Sequence, residues 1–138
     1  MVNDRWDRSA LQAGALVALV FAVPLSIGAS WAADSGYSTL AVWLVLGAVF
    51  GFLLGAGCAA WVQRVGMPLS HGVATATGTY LAAQTVFVAI KVITGGDIGW
   101  FGILFNLSVV SLVGVLGGLL GRRLRNQGAL PSMERGAS

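Results

Sequence analysis

Four apolar stretches alternate with short polar breaks along the chain, from Leu11 to Ala33, Thr39 to Val62, Gly72 to Thr94 and Trp100 to Gly121. An α-helix rises about 1.5 Å per residue, so roughly 20 apolar residues cover a hydrocarbon core about 30 Å thick. Each stretch therefore predicts a transmembrane helix. None shows the two-residue alternation of a barrel strand, and a lipid-facing backbone must satisfy its own hydrogen bonds, which leaves helices as the solution. The expected fold class is all-α, an integral membrane four-helix bundle. Residues 1–10 then form an N-terminal segment, 11–121 the helical domain, and 122–138 a tail that is first basic and then disordered, being polar and rich in small residues.

Composition agrees with the pattern. Of the 138 residues, 57% are hydrophobic and 9% charged, far below the roughly one quarter charged that is typical of soluble domains. Arg5 and Arg8 precede the first stretch, and Ser30-Trp31-Ala32 has the small residues of a signal-peptidase site. The apolar run from Ala13 to Ala33 nevertheless exceeds the roughly 7 to 15 residues of a signal core, so a retained helix is expected. Cys58 is the single cysteine, which rules out an intrachain disulfide.

Charge sets the expected orientation. Four crossings put Arg5, Arg8, Arg64, Arg122, Arg123, Arg125 and Arg135 on one side, and the positive-inside rule makes that side the cytoplasm, with both termini there and Asp34 and Asp97 outside. The five tryptophans fit the same frame: Trp6 and Trp61 fall at the inner boundary, and Trp31, Trp43 and Trp100 at the outer one. Lys91 lies about one turn before the outer end of the third helix, where its stem lets the ammonium reach the interface. A pairing with Asp97 across the "TGGD" turn is compatible with that position. An arginine cluster at the inner boundary, Arg64, Arg122, Arg123 and Arg125, is a candidate contact for anionic lipid.

Within lipid, helices associate through close packing and hydrogen bonds rather than hydrophobic expulsion, so small residues become informative. Gly47, Gly51 and Gly55, continued by Ala59, recur every four residues and form one smooth face of the second helix. In the fourth helix, Gly114 pairs with Gly118 and Gly117 with Gly121. At least one of these faces is expected to pack internally. The glycines of the fourth helix are the candidate surface for a homo-oligomer or a membrane-protein partner. Thr77, Gln84 and Lys91, seven residues apart, with Tyr80 on the adjoining turn, form a polar stripe on the third helix. Gln84 lies near mid-membrane and Asn106 in the outer half of the fourth helix, so a bond between them is expected if the helices adjoin. The stripe reads either as interhelical glue or as the lining of a narrow path for a small solute or ion. Pro24, inside the first helix, removes a backbone donor and predicts a kink.

Catalytic chemistry is sparse. Asp4, Asp7, Asp34, Asp97 and Glu134 all fall in tails or loops, so no carboxylate lies within a span. His71, in "PLSHG", is the single histidine and has no sequence neighbour that would complete a metal site, with Ser70 a candidate N-cap. No phosphate loop, dinucleotide fingerprint or nucleophile elbow occurs. The expectation is a protein that is not an enzyme, binds no cofactor, metal or nucleic acid, has the lipid bilayer as its first partner, and serves as an accessory or assembly subunit or small homo-oligomer packed through its glycine faces, the alternative being a narrow channel or facilitator lined by the stripe of the third helix.

The order "PLSHG", "GDIGWFGILFN", "GGLLGRRLR" resembles that of the YrzE-type family of small four-span membrane proteins found in Gram-positive bacteria. The resemblance covers most of the chain and implies four spans in a bacterial inner membrane; it carries no known activity and no site residues. Two other classes of similar size fit less well. Small multidrug exporters use a glutamate buried in their first helix, which is absent here. Dual-topology fluoride channels need nearly balanced loop charge and a characteristic Gly-Arg-Tyr region, and this chain has neither.

Reporters fused to the two ends of the chain are expected to read from one compartment. A pair reading from opposite sides would remove the even number of crossings.

Overall fold

The structure, a computed structural model, describes residues 6–128. It contains four helices, α1 (Arg8–Asp34), α2 (Ser38–Val62), α3 (Pro68–Thr94) and α4 (Trp100–Asn126), each long and apolar enough to cross a membrane. With 25 residues in α2 and 27 in each of the others, the rods are about 38 to 40 Å long and outreach the hydrocarbon core. Residues 1–5 and 129–138, including most of the expected disordered tail, lie outside the described residues.

Local chemistry sets the helix ends. Asp7 caps α1, its carboxylate accepting from the Ala10 amide, and α1 then runs unbroken through Pro24. Pro68 opens α3, four residues before the expected start, because a proline in the first turn has no amide to leave unpaired. Ser70 therefore lies inside the helix; Met67 occupies the cap position and offers no side-chain bond. α3 stops at Gly95, whose φ of 69° is the left-handed conformation that glycine adopts without steric cost. The Gly96 amide then closes onto the Lys91 carbonyl at 2.9 Å. α4 continues past Gly121 to Asn126, so Arg122, Arg123 and Arg125 extend the helix.

Going round the bundle the order is α1, α2, α4, α3. The helix α2 touches the other three, while α1 and α4 occupy the long diagonal and share no contact among the described residues. Small residues decide where the helices meet. Gly14, Ala18 and Ala22 of α1, spaced by four, oppose Gly51, Gly55 and Ala59 of α2. A methyl group on Gly55 would stand 2.5 Å from the Gly14 carbonyl oxygen and 2.7 Å from Ala18 Cβ, and one on Gly51 would stand 2.6 Å from Phe21 Cβ. At Gly47 the approach is looser, 3.0 Å from Leu25 Cδ1.

The helix α4 uses two glycine faces at once. Gly114 and Gly118 meet Gly72, Val73 and Leu69 of α3, while Gly117 and Gly121 meet Ala56, Gly57 and Ala60 of α2. All four are buried inside the chain. The expectation that this helix keeps an open glycine surface for a second chain is therefore corrected: α2 and α3 already cover it.

Burial is uneven along the bundle. The core gathers Ala18, Ala22, Ala48, Phe52, Ala56, Ala76, Tyr80 and Val110. Beyond Tyr80, α3 has no buried residue, and before Val110 neither has α4. The helices α1 and α2 stay paired further, through Ala29, Ala32 and Ala41. The half near the arginines is welded and the half near Asp34 and Asp97 spreads.

Gly55→Ala and Gly121→Ala are each expected to destabilise the bundle by about 1 to 3 kcal/mol through overpacking. Gly78→Ala, whose methyl group would meet open space, is expected to be neutral or to gain up to about 1 kcal/mol of helix propensity. Thermal unfolding in mild detergent measures the order; equal behaviour of the three variants would contradict the close approach.

Candidate functional site

Where the helices spread, they border a half-open cavity of about 390 Å³ with walls from all four. Its closed end is formed by Phe52 and Tyr80, which meet edge to face with ring centroids 6.2 Å apart and planes at 68°. Beyond that pair the helices are in backbone contact at Gly14 with Gly55 and at Gly114 with Gly72, so the cavity does not run on through the bundle. Ser26, Ser30, Tyr80, Gln84 and Asn106 supply its polar groups, set among alanine and valine side chains. No charged side chain lines it among the described residues.

The polar groups differ in what they have left to offer. Tyr80 donates its hydroxyl proton to the Ile103 carbonyl of α4 at 3.0 Å, which leaves the phenol oxygen free only to accept. Gln84 Oε1 is buried without a partner; the bond expected between Gln84 and Asn106 is not made. Ser26, Ser30 and Asn106 form no side-chain hydrogen bond among the described residues. Elsewhere in the spans, Thr85, Thr94, Ser108 and Ser111 donate to the carbonyl four residues earlier, at 2.8 to 3.1 Å.

The predicted polar stripe is thus divided. Tyr80, Gln84 and Asn106 converge on the cavity, whereas Thr77 bonds Ser111 of α4 at 3.3 Å. Ser111 already donates to Leu107, so Thr77 is the donor of that pair. Lys91 folds over the end of its own helix, with Nζ 5.6 Å from the centre of the Phe87 ring and its stem against Gly96. Among the described residues it makes no ion pair with Asp97.

A second polar cluster closes the opposite end. His71 is fully buried. Its Nδ1 lies 2.9 Å from the Met67 carbonyl, which can only accept, so Nδ1 carries the proton and Nε2 accepts from the Asp7 amide at 3.0 Å. Trp6 covers the ring with centroids 5.3 Å apart. The Asp7 carboxylate also accepts from the Arg64 amide at 3.1 Å, which ties the start of α1 to the turn between α2 and α3. Arg125 donates to the main-chain carbonyl of Gln63, and Gln63 Oε1 accepts from the Met67 amide at 3.3 Å. All four helices are joined here. Arg125 is therefore half-buried and committed to the end of α2, while Arg64, Arg122 and Arg123 stay exposed.

Sequence reading placed His71 at the interface without a partner, because Asp7 lies 64 residues away. It also passed over Thr75, whose buried hydroxyl has no partner, and read the serines of α1 only as a peptidase pattern at Ser30 and a backbone partner beside Pro24 at Ser26. Ser26 and Ser30, four apart and so on one helical face, were the visible signal. No group of three metal-ligating side chains occurs among the described residues.

Comparison with protein families, curated proteins and solved structures finds no match to this chain.

A hydrogen bond from Ser9, with the main-chain amides of Ala10 and Arg64, outweighs partial burial and holds the Asp7 carboxyl below its ordinary value of 3.8. The stabilisation from Asp7 is therefore complete above that value and is lost as pH falls through the lower folded-state value. Asp7→Ala is expected to cost about 0.5 to 2 kcal/mol at neutral pH. The difference from the parent should shrink below pH 3.8; a constant difference down to pH 2, on the order of the same cap penalty, would contradict the role of the charge.

Proposed function

We propose that the protein is a non-enzymatic, multi-pass protein of a bacterial inner membrane, with both termini cytoplasmic, that takes up a small solute in the cavity between its spread helices. The supporting observation is the convergence of five hydrogen-bonding side chains, from α1, α3 and α4, on one cavity in the apolar part of the chain. Lipid tails have nothing to offer such groups, and leaving them unpaired in hydrocarbon is costly. The cavity's volume falls within the usual range for small-ligand sites.

A non-catalytic reading is favoured because both ring nitrogens of His71 are already engaged and the ring is enclosed. The membrane interior lacks a carboxylate that would drive acid–base chemistry. The glycines expected to serve assembly pack within the chain, which favours solute uptake over an assembly role. The resemblance to YrzE-type proteins supports the four-span inner-membrane placement, and the arginine bias supports the orientation. The exposed Arg64, Arg122 and Arg123 would then meet anionic headgroups on the cytoplasmic side.

The test is whether water reaches the cavity. Val45 lines it, while Leu46, the next residue and about equally exposed at 52% against 48%, does not. With Cys58 replaced by serine, Val45→Cys is expected to react with a membrane-impermeant thiol reagent at least about tenfold faster than Leu46→Cys, because the reactive thiolate forms in water. Equal, slow rates would mean that lipid fills the space, and the reading would fall.

A further inference from the structure

Beyond Tyr80 the bundle is two pairs of helices rather than four packed ones. We infer that the structure is the open form of a clamp: the outer halves of α3 and α4 swing as one piece against those of α1 and α2, and Ser26 and Ser30 meet Gln84 and Asn106 when it closes. The motion does not depend on which solute, if any, fills the cavity.

Each pair is tied within itself. Ala29, Ala32 and Ala41 are buried where α1 and α2 stay together, and Trp31 stacks on Tyr37 of the turn between them, with ring centroids 6.2 Å apart. On the other side the Tyr80 hydroxyl bonds the Ile103 carbonyl and Thr77 bonds Ser111, so α3 and α4 are held to each other. The two pairs are joined only at the welded end. There Gly117 and Gly121 lie against the backbone of α2, Gly14 lies against Thr75, and hydrogen bonds run from the Asp7 amide to His71 and from Arg125 to the Gln63 carbonyl. Past Tyr80 on α3 and before Val110 on α4 no residue is buried. Two stiff hairpins fixed to each other at one end have one soft motion, a change in the angle between them. Pro24 of α1 and Gly78 of α3 lie near the boundary, where a helix bends at least cost.

The side chains that border the gap supply the reason to close. Ser26 and Ser30 stand on α1, Gln84 on α3 and Asn106 on α4, diagonally opposite α1. None of the four makes a side-chain hydrogen bond among the described residues. A hydroxyl and a carboxamide each both donate and accept, so the two sets pair whichever way they meet, and the broad terminal torsion of Gln84 lets its uncommitted amide turn to the partner. Unpaired, these groups lose free energy wherever water does not reach them. Anything that bonds them in the gap opposes closure, and its departure favours closure.

Distances between spin labels test this in the full chain, carrying Cys58→Ser and placed in lipid nanodiscs without added solute. Labels at the exposed positions Ser35→Cys and Ile93→Cys span the two hairpins at the spread end, and labels at the exposed Gln12→Cys and Asn126→Cys span them at the welded end. Pulsed electron–electron resonance is expected to give two distances for the first pair and one for the second. Ser26→Ala with Ser30→Ala should lower the ratio of the short to the long distance about three- to tenfold, about the worth of one hydrogen bond. The second pair should be unchanged in that variant, which shows that the bundle is intact. A single distance for the first pair overturns the clamp, and so does a second pair that divides in the same way, because the weld would not hold. Two distances that the serine variant leaves in the same ratio overturn the pairing across the gap. Slow labelling of Val45→Cys beside two distances defeats solute uptake and leaves the clamp standing; fast labelling beside a single distance does the reverse.

Discussion

A protein surrounded by hydrocarbon gains little by hiding apolar side chains, so its helices hold together where their backbones approach closely. That constraint governs the whole bundle. Close approach requires side chains to shrink, and the run of glycine and alanine at Gly14, Gly55, Gly72, Gly114, Gly117 and Gly121 confines it to the half near the arginines. On α3 the small residues give way to Tyr80 and Gln84; on α4 they give way to Val110 and Asn106. The cavity lies beyond that change, walled on α1 and α2 by Ser26, Ala29, Ser30, Ala33, Ala41 and Ala48. Tight packing and the cavity thus fall in different halves of the bundle.

The polar groups divide in the same way. At the welded end, buried polar atoms are paired across elements: His71 with Asp7 and Met67, Gln63 with Met67, Arg125 with the carbonyl that ends α2. Such pairing is required where water is excluded. Thr75 departs from it, and the structure offers no account of that hydroxyl. At the spread end Tyr80 bonds the Ile103 carbonyl, while Ser26, Ser30, Gln84 and Asn106 make no side-chain hydrogen bond among the described residues.

The four spans and the gathering of basic residues at one end were legible in the sequence, because hydropathy and charge are properties of each segment by itself. The glycine intervals were legible as faces, but not their partners: nothing in "VGVLGGLLGRR" says that one face meets α2 and the other α3. The matching alanine and glycine stripe of α1, at residues 10, 14, 18 and 22, was equally visible and carries half of the tightest interface. The stripe of α3 misled for a geometric reason. Residues seven apart share a helical face, but that face meets Ser111 of α4 at Thr77 and the cavity at Gln84. The partnership of His71 with Asp7 depends on how chain ends fold back, which no local pattern encodes.

One further consequence follows from the uncharged interior. A membrane voltage acts on charge alone, at about 2.3 kcal/mol per elementary charge for each 100 mV. With the arginines gathered at one end of the helices and Asp34, Lys91 and Asp97 at the other, the electric field across the lipid finds nothing in the cavity walls to pull on. A change of voltage across a bilayer would therefore exert no direct force on those walls.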